Sequence, residues 1–310
     1  MTQPSQPIPV ILDTDIGSDI DDTWALAMML KCPELDVRLI ATDTNDTVAR
    51  ARIVAKLLEV AGRTDIPVAV GKNFHNNRHD RQEAWVADYD LADYPGTVHD
   101  DGVDAIIRTI MDAPQPVTLI CIGPLPNIGE ALRREPAIAR HARFVGMHGS
   151  VRRGYGDKPE ISRECNVVNH TPDCQLAFAA DWDMTITPLD TCGLVRLDGE
   201  HYQRIRHSDD PLLVALMENY RVWLEAMDGR RESFDTNSSV LFDTVAIHLA
   251  YTTRHLTMER LPIRVTDDGY TVIDEQAGKP MQVATQWQDL EAFRRELVTR
   301  LTSPTVVPTR

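Results

Sequence analysis

Short apolar and β-branched runs alternate with helix-spaced apolar patterns through the first two-thirds of the chain. Residues 10–12, 37–41, 68–70, 117–122, 144–147 and 184–188 read as strands; residues 23–31, 47–61, 102–111, 128–134 and 172–180, lying between them, read as helices. This alternation predicts an α/β fold with a mostly parallel central sheet and helices on both faces. The final third is more helical: the pattern predicts helices over 210–224, 240–251 and 287–301, with a small β pair around 263–273 turning at Asp267-Asp268-Gly269. No Gly/Ser-rich linker or repeat interrupts it, so residues 1–310 are expected to form a single domain. Residues 72–100, with three histidines and many charges, read as a long loop region of the kind that often forms lids.

One segment departs from the ordinary distribution of polar positions. Residues 10–30, VILDTDIGSDIDDTWALAMML, carry Asp13, Asp15, Asp19, Asp21 and Asp22 between the apolar runs 10–12 and 24–30. The fold must therefore carry these carboxylates into a semi-buried place at the carboxyl end of the first strand, where open α/β sheets bind ligands. Carboxylates crowded there repel one another and are costly to desolvate unless a cation neutralises them. Asp13 and Asp15 leave the same strand face, and Asp21 and Asp22 open a helix whose N-terminus favours negative charge. N-capping without any ligand would account for one or two aspartates, not for five. The set points to an oxygen-ligated metal, calcium or magnesium, since no His or Cys stands nearby to suggest zinc.

Composition narrows the partners. The formal charge of −15, from 47 acidic and 32 basic residues, argues against a nucleic-acid or membrane-surface partner and leaves a small-molecule substrate. The five cysteines are odd in number, widely spaced and without a CxxC, as expected of reduced thiols. The N-terminal residues show no basic region followed by an apolar one, and no run reaches the roughly eighteen apolar residues of a membrane span, so a cytoplasmic location is expected.

The ordered motifs DTDIGSDIDD followed by TWALA, ICIGPLPNI at 120–128, FVGMHG at 144–149, Glu164-Cys165-Asn166 and Leu241-Phe242-Asp243 resemble those of the inosine–uridine-type nucleoside hydrolases. Residues 41–71 and 98–103 also match, so the resemblance spans about residues 8 to 250. It implies a sheet fold of the same α/β type, a tightly bound calcium, hydrolysis of N-ribosides and a homodimer or homotetramer. Carried over by position, Asp15 is both a calcium ligand and the base that activates water. Asp22 and Asp243 are further carboxylate ligands, and Pro126 supplies a backbone carbonyl, which proline retains. The ribose falls to Asp21, Asp46, Glu164 and Asn166, with Asn45 the alternative to Asp46 and Asp19 the alternative to Asp21. Specificity for the base is expected in the loop 72–100 and around 220–234.

Three departures accompany the resemblance. The first motif is longer by two residues. Phe242 occupies the position of the histidine that protonates a purine leaving group, and phenylalanine cannot donate a proton, so Phe242 is left as an aromatic neighbour of the base, with His248 a weak substitute donor. Lys158 stands where members commonly have an asparagine. Two other readings follow from the same residues: a riboside-binding homologue with lost chemistry, and a DxD-type magnesium phosphatase with Asp13 as nucleophile.

Overall fold

The computed structural model describes residues 6–74, 80–227 and 234–306; parts of the 72–100 loop region and of the 220–234 segment thus lie outside the described residues. Strands β1 (Ile8–Thr14), β2 (Leu35–Thr42), β3 (Val68–Val70), β4 (Val98–His99), β5 (Val117–Cys121), β6 (Ala142–Met147), β7 (Met184–Thr187), β8 (Leu256–Val265), β9 (Thr271–Ile273) and β10 (Lys279–Trp287) form one sheet in the order β4-β3-β2-β1-β5-β6-β7-β10-β8-β9. The sheet is parallel from β4 across to β10, and antiparallel only where β8 joins β10 and β9 joins β8. Helices cover both faces because alternate residues of the central strand are apolar on opposite sides. Val10 and Leu12 enter one core cluster, whereas Ile11 packs in the other with Leu39, Val117 and Leu119. From β1 the chain builds β2, β3 and β4 to one side, then returns to place β5 on the other. The reversal opens a crevice beyond the carboxyl ends of β1 and β5.

The helix Asp21–Met29, which follows β1, has every residue buried. It packs against the helices Pro211–Ala226 and Thr244–Leu249, so the final third of the chain closes over its outer face.

The strands and helices expected through residue 188 all form, with differences at their ends, and β4 and the short helices Ile138–His141 and Cys165–Val168 are additional. The late segments differ more. The helix expected over 240–251 is confined to Thr244–Leu249, the last helix begins at Leu290, and β10 occupies residues that carried no strand expectation. Prolines obscure this hairpin, since proline is ordinarily a poor resident of an inner strand. Here Pro262 and Pro280 face each other. The Pro262 carbonyl turns away from β10 to accept from Asp274 N–H at 2.8 Å, so the missing donors fall at a non-hydrogen-bonded pair and cost the ladder nothing. The region 72–100 is less open than expected. It contains two short 3-10 turns, Glu83–Val86 and Leu91–Asp93, before β4, and Trp85 is buried with Lys56 Nζ 4.2 Å from its ring centroid.

Buried Asn127 locks the carboxyl edge. Its Nδ2 donates to Asp13 Oδ1 at 2.7 Å and to Thr42 O at 3.0 Å, while its Oδ1 accepts from Lys72 N–H at 2.7 Å. This works because Gly71 has no side chain: a Cβ there would stand 2.1 Å from Thr42 O and 2.4 Å from Asn127 Nδ2. Asn127→Ala strands a buried carboxylate, a carbonyl and an N–H, and is expected to lower the unfolding free energy in urea by about 3 kcal/mol; a loss within a few tenths of a kcal/mol would contradict this role.

Candidate active site

Three carboxylates meet where β1 ends. Asp21 and Asp22 stand in the first turn of the helix Asp21–Met29, and Asp243 at the start of the helix Thr244–Leu249 packed beside it. One oxygen from each lies within 4.8 Å of the others, and all three residues are buried. Asp15, one residue beyond β1, is 4% exposed and lines the same cavity. Burial raises the pKa of Asp22 well above the usual carboxylate range, and the charges of Asp15 and Asp21 push it further. Asp21 is raised by burial and then by Asp19, and Asp243 by burial and then by Asp21 and Asp22. Two groups counter this at Asp22: Thr14 Oγ1, which donates to its Oδ1 at 2.5 Å, and the Arg50 guanidinium. The arrangement fits a hard divalent cation held by oxygens, which would replace mutual repulsion with shared ligation.

A further carboxylate, Asp43, carried no sequence expectation. It directly follows β2, whose Thr42 pairs with Thr14, so the register alone sets it beside this group. Asp43 is fully buried, its Oδ1 accepts from Thr44 Oγ1 at 2.5 Å, and its Oδ2 has no hydrogen-bond partner. Burial raises its pKa, followed by the charges of Asp13 and Asp15. The fit requires Gly123, where a Cβ would lie 2.7 Å from Asp43 Oδ2 and 2.8 Å from Asp15 N. Gly123 O accepts from His148 Nε2 at 3.1 Å, and burial holds this imidazole neutral, its pKa pulled down to about 3.

The longer first motif forms a loop whose carbonyls are each satisfied. Ile16 O accepts from Arg50 Nη1 at 2.8 Å, Gly17 O from Arg81 N–H at 2.8 Å, Ser18 O from Trp223 Nε1 at 3.1 Å and Asp19 O from Gln82 Nε2 at 2.5 Å. Arg50 also donates to Ser18 Oγ and pairs with Asp80, so one buried guanidinium fastens the loop to two other segments.

Above the carboxylates lies a cavity of about 860 Å³. Asp15, Asp19, Asp21, Asp22, Glu164, Asn166, Phe242 and Asp243 all line it, so most of the sequence-derived set converges here. Glu164 caps the short helix Cys165–Val168: its carboxylate accepts from the N–H groups of Asn166 at 2.8 Å, Val167 at 3.2 Å and Gly149 at 3.0 Å. Asn166 Nδ2 donates to Ile122 O and Met147 O, which leaves Oδ1 for a ligand. The Phe242 ring meets Tyr155 edge-on at 6.2 Å, and Tyr220 and Trp223, stacked at 5.9 Å, also line the cavity.

Other expected residues are placed differently. Asp46 is an exposed N-cap, accepting from Val48 and Ala49 N–H, and Asn45 is buried with Nδ2 3.5 Å from Asp80 Oδ1; neither is among the described lining residues. Pro126 opens the helix Pro126–Arg134 and is likewise absent from the lining. Asp13 is fully buried, held by Asn127 and outside the cavity, a support and not a nucleophile. His248 is buried with Nε2 2.9 Å from Arg254 O and is not among the described lining residues, which removes it as a substitute acid. Lys158 is an exposed residue of the 154–158 turn and also does not line the cavity; Arg163 and Arg196, neither of which the sequence singled out, do.

No described helix is long and apolar enough to cross a membrane. A sequence profile of the inosine-uridine preferring nucleoside hydrolases matches residues 10–295. The pyrimidine-specific ribonucleoside hydrolase RihA of Citrobacter koseri is 27% identical over 240 residues, covering 70% of this chain and 72% of that protein. The non-specific ribonucleoside hydrolase RihC of Escherichia fergusonii is 34% identical over 183 residues; the match covers 56% of this chain and about half (55%) of that relative. Two solved structures share the fold: the plant nucleoside hydrolase PpNRh1, with a TM-score of 0.78 at 22% identity over 97% of this chain and 100% of its own, and a purine-preferring ribonucleoside hydrolase from Gardnerella vaginalis, with 0.76 at 21% identity over 95% and 98%. The chain belongs to the inosine-uridine preferring nucleoside hydrolase family, a family of N-ribosyl hydrolases.

Proposed function

We propose that this protein hydrolyses the N-glycosidic bond of a ribonucleoside or nucleoside-like riboside in a calcium-dependent reaction, releasing free base and ribose. The observation that carries the reading is the buried cluster of Asp21, Asp22 and Asp243 beneath a cavity that Asp15, Glu164 and Asn166 also line. Asp22 and Asp243, with Asp15, would hold the cation, which when bound supplies charge neutralisation and polarises a water. Asp15 takes the proton from the attacking water as general base. Departure of the base builds positive charge on the ribose ring. Glu164, fixed by three backbone N–H groups, presents a pre-oriented carboxylate to that charge. Asp21 and Asn166 Oδ1 are positioned to accept from ribose hydroxyls.

The decisive assay measures ribose release from a broad panel of ribosides by the calcium-loaded protein; no cleavage across the panel, modified bases included, would overturn the reading. Asp15→Asn is expected to cut turnover about 10³-fold while riboside binding and the thermal melt persist. A variant that retains near-normal turnover would remove Asp15 from the chemistry.

Stability should report the cation independently of activity. Asp13 rises to about 7 from an ordinary value of 3.8, chiefly through burial, and Asp21, Asp22 and Asp243 are raised in the same direction. Groups whose folded pKa exceeds the unfolded one stabilise the fold at low pH and lose that contribution as pH rises through the folded value. Chelator-treated protein is therefore expected to melt at progressively lower temperature as pH rises from about 4 to 7. Calcium at about a thousand times its Kd should restore about 4 kcal/mol, with the largest gain at the upper end of that range. A melting temperature indifferent to calcium at pH 7 would contradict the assignment.

A further inference from the structure

The cavity has an acidic floor and, in a chain of net charge −15, two arginines on its rim. Their placement is built by backbone structure. Residues 195–197 run beside 238–241: Ser238 N–H donates to Leu197 O and Leu241 N–H to Val195 O, each at 2.8 Å, which sets Arg196 next to Ser239 and Val240, just before Phe242. The Arg196 guanidinium makes no hydrogen bond or ion pair among the described residues. Arg163 also lines the cavity; its Nε donates to Asp268 O at 2.6 Å in the turn between β8 and β9, and among the described residues its two terminal nitrogens make no hydrogen bond.

Among the described lining residues proton donors for a base are few; the Cys165 thiol, which also lines the cavity, accepts from Asn169 Nδ2 at 2.9 Å. Phe242 has no acidic hydrogen, and no histidine is among the described lining residues. The Tyr220 hydroxyl donates to Asn237 O at 3.2 Å, and burial raises the pKa of the Tyr155 phenol, so it holds its proton more firmly. An arginine does not release a proton at neutral pH; it offers charge and several fixed N–H donors.

Resting on the riboside-hydrolase reading above, we infer that Arg196 and Arg163 stabilise the leaving base as an anion, so that the leaving group departs without a protein acid to protonate it. In the step this implies, the C1′–N bond breaks with its electron pair passing to the base. The water oxygen forms the new C1′–O bond, and its proton goes to Asp15. The charge on the departing base spreads onto ring carbonyl oxygens, which accept hydrogen bonds from the guanidinium groups, and the released anion later takes a proton from solvent. Bases without carbonyls conjugated to the leaving nitrogen gain nothing from this arrangement.

The test compares kcat/KM of the wild type, R196Q, R163Q, the double variant and R196K on uridine, 5-fluorouridine and 5-nitrouridine, which grade leaving-group acidity, on adenosine, and on an N-ribosylpyridinium whose base departs neutral. The wild type should cleave the uridine series faster as the leaving group becomes more acidic, and adenosine poorly. The ratio of uridine to pyridinium cleavage should fall about 10–100-fold in R196Q, the size expected for a charge-assisted hydrogen bond, further in the double variant, and be partly recovered in R196K. An unchanged ratio in the double variant, equal losses on all substrates, or wild-type rates independent of leaving-group acidity would overturn the inference and leave the riboside-hydrolase reading standing. If the wild type cleaves none of these ribosides, that underlying reading fails instead.

Discussion

Burying several carboxylates side by side is the costliest thing this fold does, and much of its architecture accommodates that act. Asp13, Asp15, Asp21, Asp22, Asp43 and Asp243 are all nearly or wholly inaccessible. Desolvation and mutual repulsion act in the same direction on Asp21, Asp22, Asp43 and Asp243, so the protein places specific neutralising partners around them. Asn127 donates to one oxygen of Asp13, Thr14 donates to one oxygen of Asp22, and the Arg50 guanidinium lies close enough to favour the charged forms of Asp22 and Asp43. What these partners leave uncompensated is a concentrated negative potential at the reversal of strand order, where the parallel strands end and a crevice opens.

The cavity is thereby divided by chemistry. Its floor is anionic and rigid, set by helix starts and strand ends that carry the carboxylates. Its upper wall is aromatic and cationic, supplied by loops and by the helix Pro211–Ala226. A sugar on the floor and a flat heterocycle against the wall would each meet groups suited to the charge they develop as the bond between them breaks. Neutral His148 sits underneath, bound to Gly123 O, and adds no charge to the balance.

The floor was legible in the sequence because it is local: a strand, an aspartate cluster and a helix follow one another within residues 8–29, and the strand period and helix start determine where the side chains go. Asp46 shows the limit of that reasoning. An aspartate before a helix is also the commonest N-cap, and here its side chain is spent on Val48 and Ala49 N–H. Asp43 escaped because its neighbours come from strand register and not from any motif. Arg196 escaped for a related reason, since only the pairing of 195–197 with 238–241 brings it to the rim. The C-terminal hairpin was masked by Pro262 and Pro280, whose harmlessness depends on their facing each other.

The loop that follows β1 borrows its hydrogen-bond donors from far along the chain: 34 residues away for Arg50, 63 for Gln82 and 205 for Trp223. Contacts of such separation require long loops to close first, and they form late. During synthesis the sheet core and the helix carrying Arg50 emerge well before Trp223 does, so a nascent chain can possess β1 and its aspartates without the latch that gives the loop its shape. The order of emergence thus delays assembly of the site until the molecule around it is nearly finished.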